Sequence, residues 1–295
     1  LIVMLGIIGG SGVYHIEGLE NSRWVRAESS FGEPSDEILL AELAGETVAF
    51  LPRHGRGHRI SPSDINFRAN IDAMKRLGVT DIISVSAVGS LREDLPPGTF
   101  VVVDQFIDRT FAREKSFFGT GLVAHVSMAH PVCNRLGDHL FAAAKSLDIP
   151  VVRGGTYLVM EGMQFSSLAE SELYRTWRCD VIGMTNMPEA KLAREAEICY
   201  ATVAMVTDFD CWHPDHDNVT VDAIVKVLLA NADKARALVK QVAHPVHSDE
   251  SADACACRSA LQYAILTSPE ARDTAMLDKL SAVAGRMLKT TGSGE

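Results

Sequence analysis

The chain is short of basic charge, and that shortfall narrows its partners. With 28 Lys and Arg against 38 Asp and Glu, the formal net charge is -10. Neutralising duplex phosphates takes a basic stripe, and no Lys/Arg-rich block occurs anywhere in the sequence, so nucleic acid is not the expected partner. Long apolar runs are missing too. The opening Leu1-Ile2-Val3-Met4-Leu5-Gly6-Ile7-Ile8 has no basic flank and stops at Gly9-Gly10. It is too short to cross a bilayer and reads as a first strand, not as an anchor or signal. Met4 is a plausible natural start, with Leu1 to Val3 ahead of it. No Pro/Gly/Ser-rich linker, repeat or low-complexity tract divides the interior. The six cysteines are scattered, four of them in segments that read as a cytoplasmic enzyme core, so reduced thiols are expected. Cys255-Ala256-Cys257 stands apart, since two cysteines this close can form a strained bridge. They lack matching His or Cys partners at zinc-ligand spacing, and the expectation is no metal.

What is present is a core. Apolar residues make up 47% of the chain, enough for a globule of one main domain spanning residues 1–295, with residues 243–295 as its helical C-terminal extension. Strand and helix signals alternate, which indicates an α/β layer structure. Strands are predicted at Leu5-Ile8, Thr47-Leu51, Ile82-Val85, Phe100-Val103, Val181-Met184 and Tyr200-Val206. Helices are predicted at Asp64 to Leu77, Cys133 to Leu147, Glu170 to Trp177 and Glu189 to Glu197. A longer one starts at Val221 behind an N-cap at Thr220 and carries apolar residues at helical spacing to Leu238. After Val242, His244-Pro245-Val246-His247 opens the extension, with helix-patterned stretches near Cys255-Leu266 and Met276-Leu288 and a frayed terminus.

Several strand ends carry groups suited to an anion. Gly9-Gly10-Ser11-Gly12 lets backbone N–H groups approach one, and Ser11 adds a hydroxyl. The rival, a dinucleotide turn, lacks its third glycine at Gly10-Ser11-Gly12-Val13-Tyr14-His15 and a secure acidic partner. In Arg53-His54-Gly55-Arg56-Gly57-His58, Arg53 offers a planar fork and His54 a further donor. Ser84-Val85-Ser86-Ala87-Val88-Gly89-Ser90 and Met184-Thr185-Asn186 add hydroxyls. Each alone is an ordinary turn former or solvated loop; together they converge where open α/β sheets gather ligands.

Thr207-Asp208-Phe209-Asp210-Cys211-Trp212 ends an apolar run. If the strand continues through it, Asp208 and Asp210 point to one side. Two carboxylates out of water resist double ionisation, so one keeps its proton and donates while the other accepts. That pattern matches N7 and the 6-amino group of adenine. An isolated Asp-x-Asp would be only a polar strand end; the anion donors elsewhere favour a nucleoside reader.

With these motifs in this order, the chain resembles the 5'-methylthioadenosine phosphorylases of the trimeric purine nucleoside phosphorylase family from Gly6 to about Leu238. Further matching stretches are Ser86-Ala87-Val88-Gly89-Ser90-Leu91-Arg92-Glu93, Asp104-Gln105-Phe106-Ile107-Asp108-Arg109-Thr110 and Met184-Thr185-Asn186-Met187-Pro188-Glu189. The resemblance implies a three-layer αβα phosphorylase fold around a central mixed, partly barrel-like sheet, and active sites near the interfaces of a cytoplasmic homotrimer. It implies phosphate contacts from Ser11, Arg53, His54, Ser86, Ala87 and Thr185, and ribose packing on Met184. Phe165 and Ser166 would line the purine, with Asp208 at N7 and Asp210 at the 6-amino group. His125, Val221 and Ile224 would form the methylthio recess. Inorganic phosphate is then a co-substrate and no cofactor is needed. Two departures stand out: Met163 and Gln164 replace the family's Pro before Phe165-Ser166, and Leu168 replaces an Arg. The alternatives are a 6-oxopurine nucleoside phosphorylase, a Rossmann oxidoreductase and a nucleotide sensor without turnover.

Overall fold

Apolar runs without polar alternation form strands buried on both faces, because such residues can satisfy only a sheet covered twice. The computed structural model describes residues 3–10, 16–214 and 221–289, except the side chains of residues 221–224 and 226. In chain order the elements are β1 (Leu5–Gly9), β2 (Leu19–Val25), β3 (Ile38–Leu43), β4 (Glu46–Pro52), α1 (Phe67–Arg76), β5 (Asp81–Ser90), β6 (Phe100–Val102) and β7 (Gln105–Asp108). There follow α2 (Asn134–Ser146), β8 (Val151–Arg153), β9 (Thr156–Val159), α3 (Leu168–Thr176), β10 (Val181–Gly183), α4 (Glu189–Glu195), β11 (Cys199–Asp208) and α5 (Val221–His247). Beyond α5 come short 3-10 turns at Glu250–Ala254, Ala256–Ser259 and Pro269–Ala271, then α6 (Thr274–Lys279) and α7 (Gly285–Lys289).

The eleven strands form one mixed sheet that forks at β5. Strands β4, β1, β5 and β11 run parallel, so their carboxyl ends lie along one rim. β10 pairs antiparallel with the far end of β5 and leads on to β9 and β7, while β11 leads to β6 and β8. The sheet is not a closed barrel. Side-chain alternation divides the core into two layers: Ile8, Ile82, Tyr200 and Val206 meet the α1 and α4 side, and Leu5, Ile7, Ile83, Val203 and Met205 meet the α2 and α5 side. Helices on both faces of a mixed sheet give the expected three-layer α/β architecture.

Local sequence explains the boundaries. α1 starts at Phe67 because the Asn66 side chain accepts from Ala69 N. α3 starts two residues ahead of the predicted Glu170, since Ser167 and Glu170 form a reciprocal capping box. α5 continues past Val242 to His247; Val242, Ala243 and Val246 are buried and carry its apolar face past Pro245. The last segment returns to the core, with Leu261, Leu280 and Val283 packed on the α1 side and Cys257 on the α2 side. Among the described residues, no helix is long and apolar enough to cross a membrane.

Glu195, at the end of α4, accepts from Phe117 N and Ser116 Oγ, each at 2.7 Å, and pins that loop to the core. Burial pushes its carboxyl up from 4.5 to about 7. A raised folded-state pKa means the contribution to stability is complete below about 4.5 and is lost as pH rises through about 7. Glu195→Gln is therefore expected to flatten the pH dependence of stability across that window by roughly 2–3 kcal/mol, read from urea midpoints at mildly acidic and mildly basic pH. Parallel pH curves for the two proteins would contradict this.

Candidate active site

The carboxyl ends of β1, β4, β5 and β11, with the segment after β10, surround a cleft of about 340 Å³. Its walls are mostly apolar: Val85, Val88, Met160, Ile182, Met184 and Met205, with Leu228 and Ala232 from α5. Polar groups fall into two sets. Arg53, His54, Ser86 and Thr185 form one, and Thr207, Asp208 and Asp210 the other. β11 runs beside β5 with Ala204 opposite Ser86 and Asp208 opposite Gly89. The two sets are therefore three residues apart along β5, about 10 Å at the usual rise of a strand.

At the first set, Arg53 is 1% exposed and its fork is already engaged. Nε and one terminal nitrogen hold both oxygens of Glu189, at 2.9 and 3.0 Å. That terminal nitrogen also reaches Ser84 Oγ at 2.5 Å, and the other donates to Val85 O at 3.0 Å. The sequence expectation that the fork itself grips an anion is corrected: a buried guanidinium needs an internal counter-charge, and Glu189 supplies it. A single N–H of the second terminal nitrogen stays outside this set of bonds. Burial works against both charges, and each partner outweighs it for the other.

His54 also differs from expectation. Its Nδ1 lies 2.9 Å from Ile60 O, and a carbonyl only accepts, so Nδ1 carries the hydrogen. Burial and the neighbouring Arg53 charge push its pKa down to about 4, leaving the ring neutral near pH 7 with Nε2 as an acceptor. It suits a protonated oxyanion oxygen, where the sequence suggested a donor. His58 stacks on it at 4.3 Å and also lines the cleft. Ser86 Oγ bonds to Asn186 Oδ1 at 2.5 Å and lies 3.0 Å from Thr185 Oγ1. Asn186, named in the Met184-Thr185-Asn186 motif without a role of its own, is the hub of this end: its Nδ2 faces Ser84 Oγ, Tyr200 OH and Thr202 Oγ1. Ala87 is exposed toward the cleft. Ser11 lies outside the described residues.

At the second set both acids reach the cleft, but not along one continuous strand as the sequence suggested. β11 ends at Asp208 after an irregularity between Val206 and Asp208, and Asp210 sits beyond it at φ 53°. The chain turns there, so that Asp210 N donates to Asp208 Oδ1 at 2.8 Å. Asp208 Oδ2 accepts from Thr207 Oγ1 at 2.7 Å. Burial raises the Asp208 carboxyl above its usual 3.8, against the Thr207 and Asp210 hydrogen bonds. Burial likewise raises Asp210, with the Asp208 charge adding; the Ser171 and Ser166 hydroxyls stand close enough to oppose this without making regular hydrogen bonds. Asp210 Oδ2 is buried and has no hydrogen-bond partner among the described residues. Gly89 makes room for the pair, since a Cβ there would stand 2.9 Å from Asp208 Oδ1.

The remaining expected residues divide. Met184 and the half-exposed Phe165 line the cleft. Gly162 approaches Met184 so closely that a Cβ would meet its sulfur at 2.6 Å, which fixes glycine at φ 76° in the loop that lacks the family's Pro. Ser166 is buried behind the lining, its Oγ 3.7 Å from Met160 Sδ. His125 is exposed and is not part of the lining, its backbone paired with Ala264 O; one chain does not bring it to the cleft. The side chains of Val221 and Ile224 lie outside the described residues, while Leu228 and Ala232 further along α5 do reach the cleft. Glu189, Asn186, Thr207 and Gly89 are the residues motif reading left without a role. All four stand inside the quoted motif stretches, so their signal was their place beside the assigned residues.

A cleft with hydroxyls and a buried cation at one end and an acid pair whose pKa values burial raises at the other can bind an oxyanion beside a sugar and, when protonated, donate to a leaving nitrogen base. Comparison with known proteins agrees. An S-methyl-5'-thioadenosine phosphorylase of Rhodospirillum rubrum is 67% identical over 285 residues, covering 97% of each chain. The protein of that name from Bradyrhizobium diazoefficiens is 61% identical over 97% of this chain and 98% of its own. A crystal structure of methylthioadenosine phosphorylase from an antarctic soil metagenomic library superposes with a TM-score of 0.90 at 49% identity, covering 96% of this chain and 99% of the other. The Schistosoma mansoni methylthioadenosine phosphorylase in complex with adenine gives 0.81 at 36% identity over 88% of this chain and 97% of that one. The phosphorylase superfamily model matches residues 4–244, and the chain belongs to that superfamily.

Proposed function

We propose that the protein catalyses phosphorolysis of 5'-methylthioadenosine to adenine and 5-methylthioribose 1-phosphate. The observation that carries this reading is the pair of half-buried Asp208 and buried Asp210, set about 10 Å along β5 from the Ser86 and Thr185 hydroxyls, which leaves room for one pentose between base and phosphate. Phosphate, held at the Ser86 end beside the fixed Arg53 charge, attacks C1' as the glycosidic electron pair moves onto the purine. Asp208 delivers its proton to N7, and the unpartnered Asp210 Oδ2 accepts from the 6-amino group. A 6-oxopurine would present an acceptor to that same oxygen, which disfavours inosine and guanosine. Met184 packs on the ribose, Phe165 and Ser166 flank the base, and the apolar Leu228 and Ala232 sit on the helix that carries Val221 and Ile224 toward the methylthio end.

The same reading takes residues 1–295 as one domain, acting in the cytoplasm without a cofactor and assembling as a homotrimer. The exposed His125 and the 82% exposed Phe111 support the assembly, since a neighbouring copy would cover them and bring His125 to a site that its own chain leaves without it.

The test is release of free base from methylthioadenosine, adenosine and inosine, with and without phosphate, followed by chromatography. Adenine release that requires phosphate, with inosine left intact, is expected; release that ignores phosphate would make the protein a hydrolase. Asp208→Asn is expected to lower kcat by ~10²–10⁴-fold, the usual worth of a general acid. The acid must be protonated to act, so kcat/KM falls as pH rises through the raised Asp208 pKa. That limb should vanish in the Asn variant, whose residual rate does not titrate there; an unchanged limb would assign it to another group.

A further inference from the structure

The fold gathers four cysteines that the sequence leaves scattered. Cys133 precedes α2, Cys199 opens β11, Cys255 lies between the first two 3-10 turns after α5, and Cys257 lies within the second of them. Their sulfurs all lie within 4.8 Å of one another, and Cys255 Sγ is 3.6 Å from both Cys133 Sγ and Cys199 Sγ. The sequence reading that Cys255 and Cys257 lack matching ligands is thus corrected: the partners come from 122 and 56 positions away. All six cysteines are free thiols.

We propose that Cys133, Cys199, Cys255 and Cys257 form a tetrathiolate site for a structural Zn²⁺ ion. A tetrahedral zinc with Zn–S bonds of about 2.3 Å sets its sulfurs about 3.8 Å apart, inside the observed range, whereas a disulfide requires about 2.0 Å. Four sulfur ligands and no open position describe a structural centre, not a catalytic one. Three of the four cysteines are buried and Cys255 is half-buried, so the ion would be screened from water. Cys133 caps α2 without a side-chain hydrogen bond to the helix, leaving its sulfur for the cluster.

A second observation comes from the surroundings. Arg135 and Arg258 follow two of these cysteines closely in sequence, and the Nε–H of each is buried without a regular hydrogen-bond partner among the described residues. The Arg135 guanidinium lies within reach of the Cys199 sulfur. Their terminal nitrogens are anchored on the buried Asp81, and at the rim on Asp249 and Asp253. An Arg135 N–H within reach of the Cys199 sulfur would give a doubly negative zinc tetrathiolate outer-shell support. Binding releases the thiol protons, because the ligands are thiolates.

The site joins the C-terminal segment to the start of β11, while Asp208 stands at that strand's other end. Its expected effect is therefore on stability and not on turnover. The test is elemental analysis of the protein purified with reductant and without chelator. One zinc per chain is expected, released when a mercurial titrates four thiols, and Co²⁺ in its place should show the charge-transfer and visible bands of tetrahedral thiolate coordination. Cys257→Ser should lose the zinc and unfold at lower temperature with kcat/KM unchanged, while Cys179→Ala, outside the cluster, should keep it. If Cys257→Ser fails to fold, the wild-type metal and thiol counts decide alone. A metal-free protein with six reactive thiols, a mass lower by two hydrogens per bridge under non-reducing conditions, or iron in place of zinc would each overturn the proposal.

Discussion

The pairing of β11 along the whole of β5 is the constraint on which the rest of the molecule depends. It runs in parallel register from Cys199 opposite Asp81 to Asp208 opposite Gly89. Both strands are buried, so slipping the register by one residue would turn every side chain to the wrong layer. At one end this register sets the acid pair above Gly89; at the other it carries Cys199 to its three companions and Asp81 to the two arginines beside them. The acid pair and the sulfur cluster stand at two ends of one ladder, about 30 Å apart at the rise of a strand.

Charge is handled differently at the two ends of the cleft. Arg53 is neutralised from within by Glu189, and its field and orientation are fixed before any anion arrives. Preorganised groups of this kind need no rearrangement when charge develops, which is how such sites lower barriers. Asn186 serves the same end by holding Ser84, Ser86, Thr185 and Thr202 in one network. At the acid end the carboxylates have no cationic partner among the described residues, so burial favours their protonated forms. A leaving base needs that proton, and a permanent ion pair at Asp208 would withhold it.

Much of this was legible in the sequence, for physical reasons that differ from residue to residue. The six predicted strands all exist, because continuous apolar runs are forced into a sheet covered on both faces. β2 escaped notice because it is a polar, largely exposed strand, Leu19–Val25, and β8 and β9 because three or four residues carry too little pattern. The acid pair was found through an assumed strand that in fact ends at Asp208; the turn at Asp210 restores the convergence by a route that period-two reasoning does not contain. Arg53 shows the opposite case. Its position was legible, but its partner lies 136 residues away, and no local pattern reports a long-range ion pair. The cysteines were misjudged for the same reason.

Departure of the base depends on a carboxyl at Asp208 that holds its proton against its usual chemistry. The most direct test is a ¹³C NMR titration of protein labelled at the Asp side-chain carboxyls, with the Asp208 signal assigned by its loss in Asp208→Asn. Asp208 is expected to titrate above the usual 3.8 and to move higher still when adenine is bound. A signal that titrates at or below 3.8 and does not respond to adenine would contradict it.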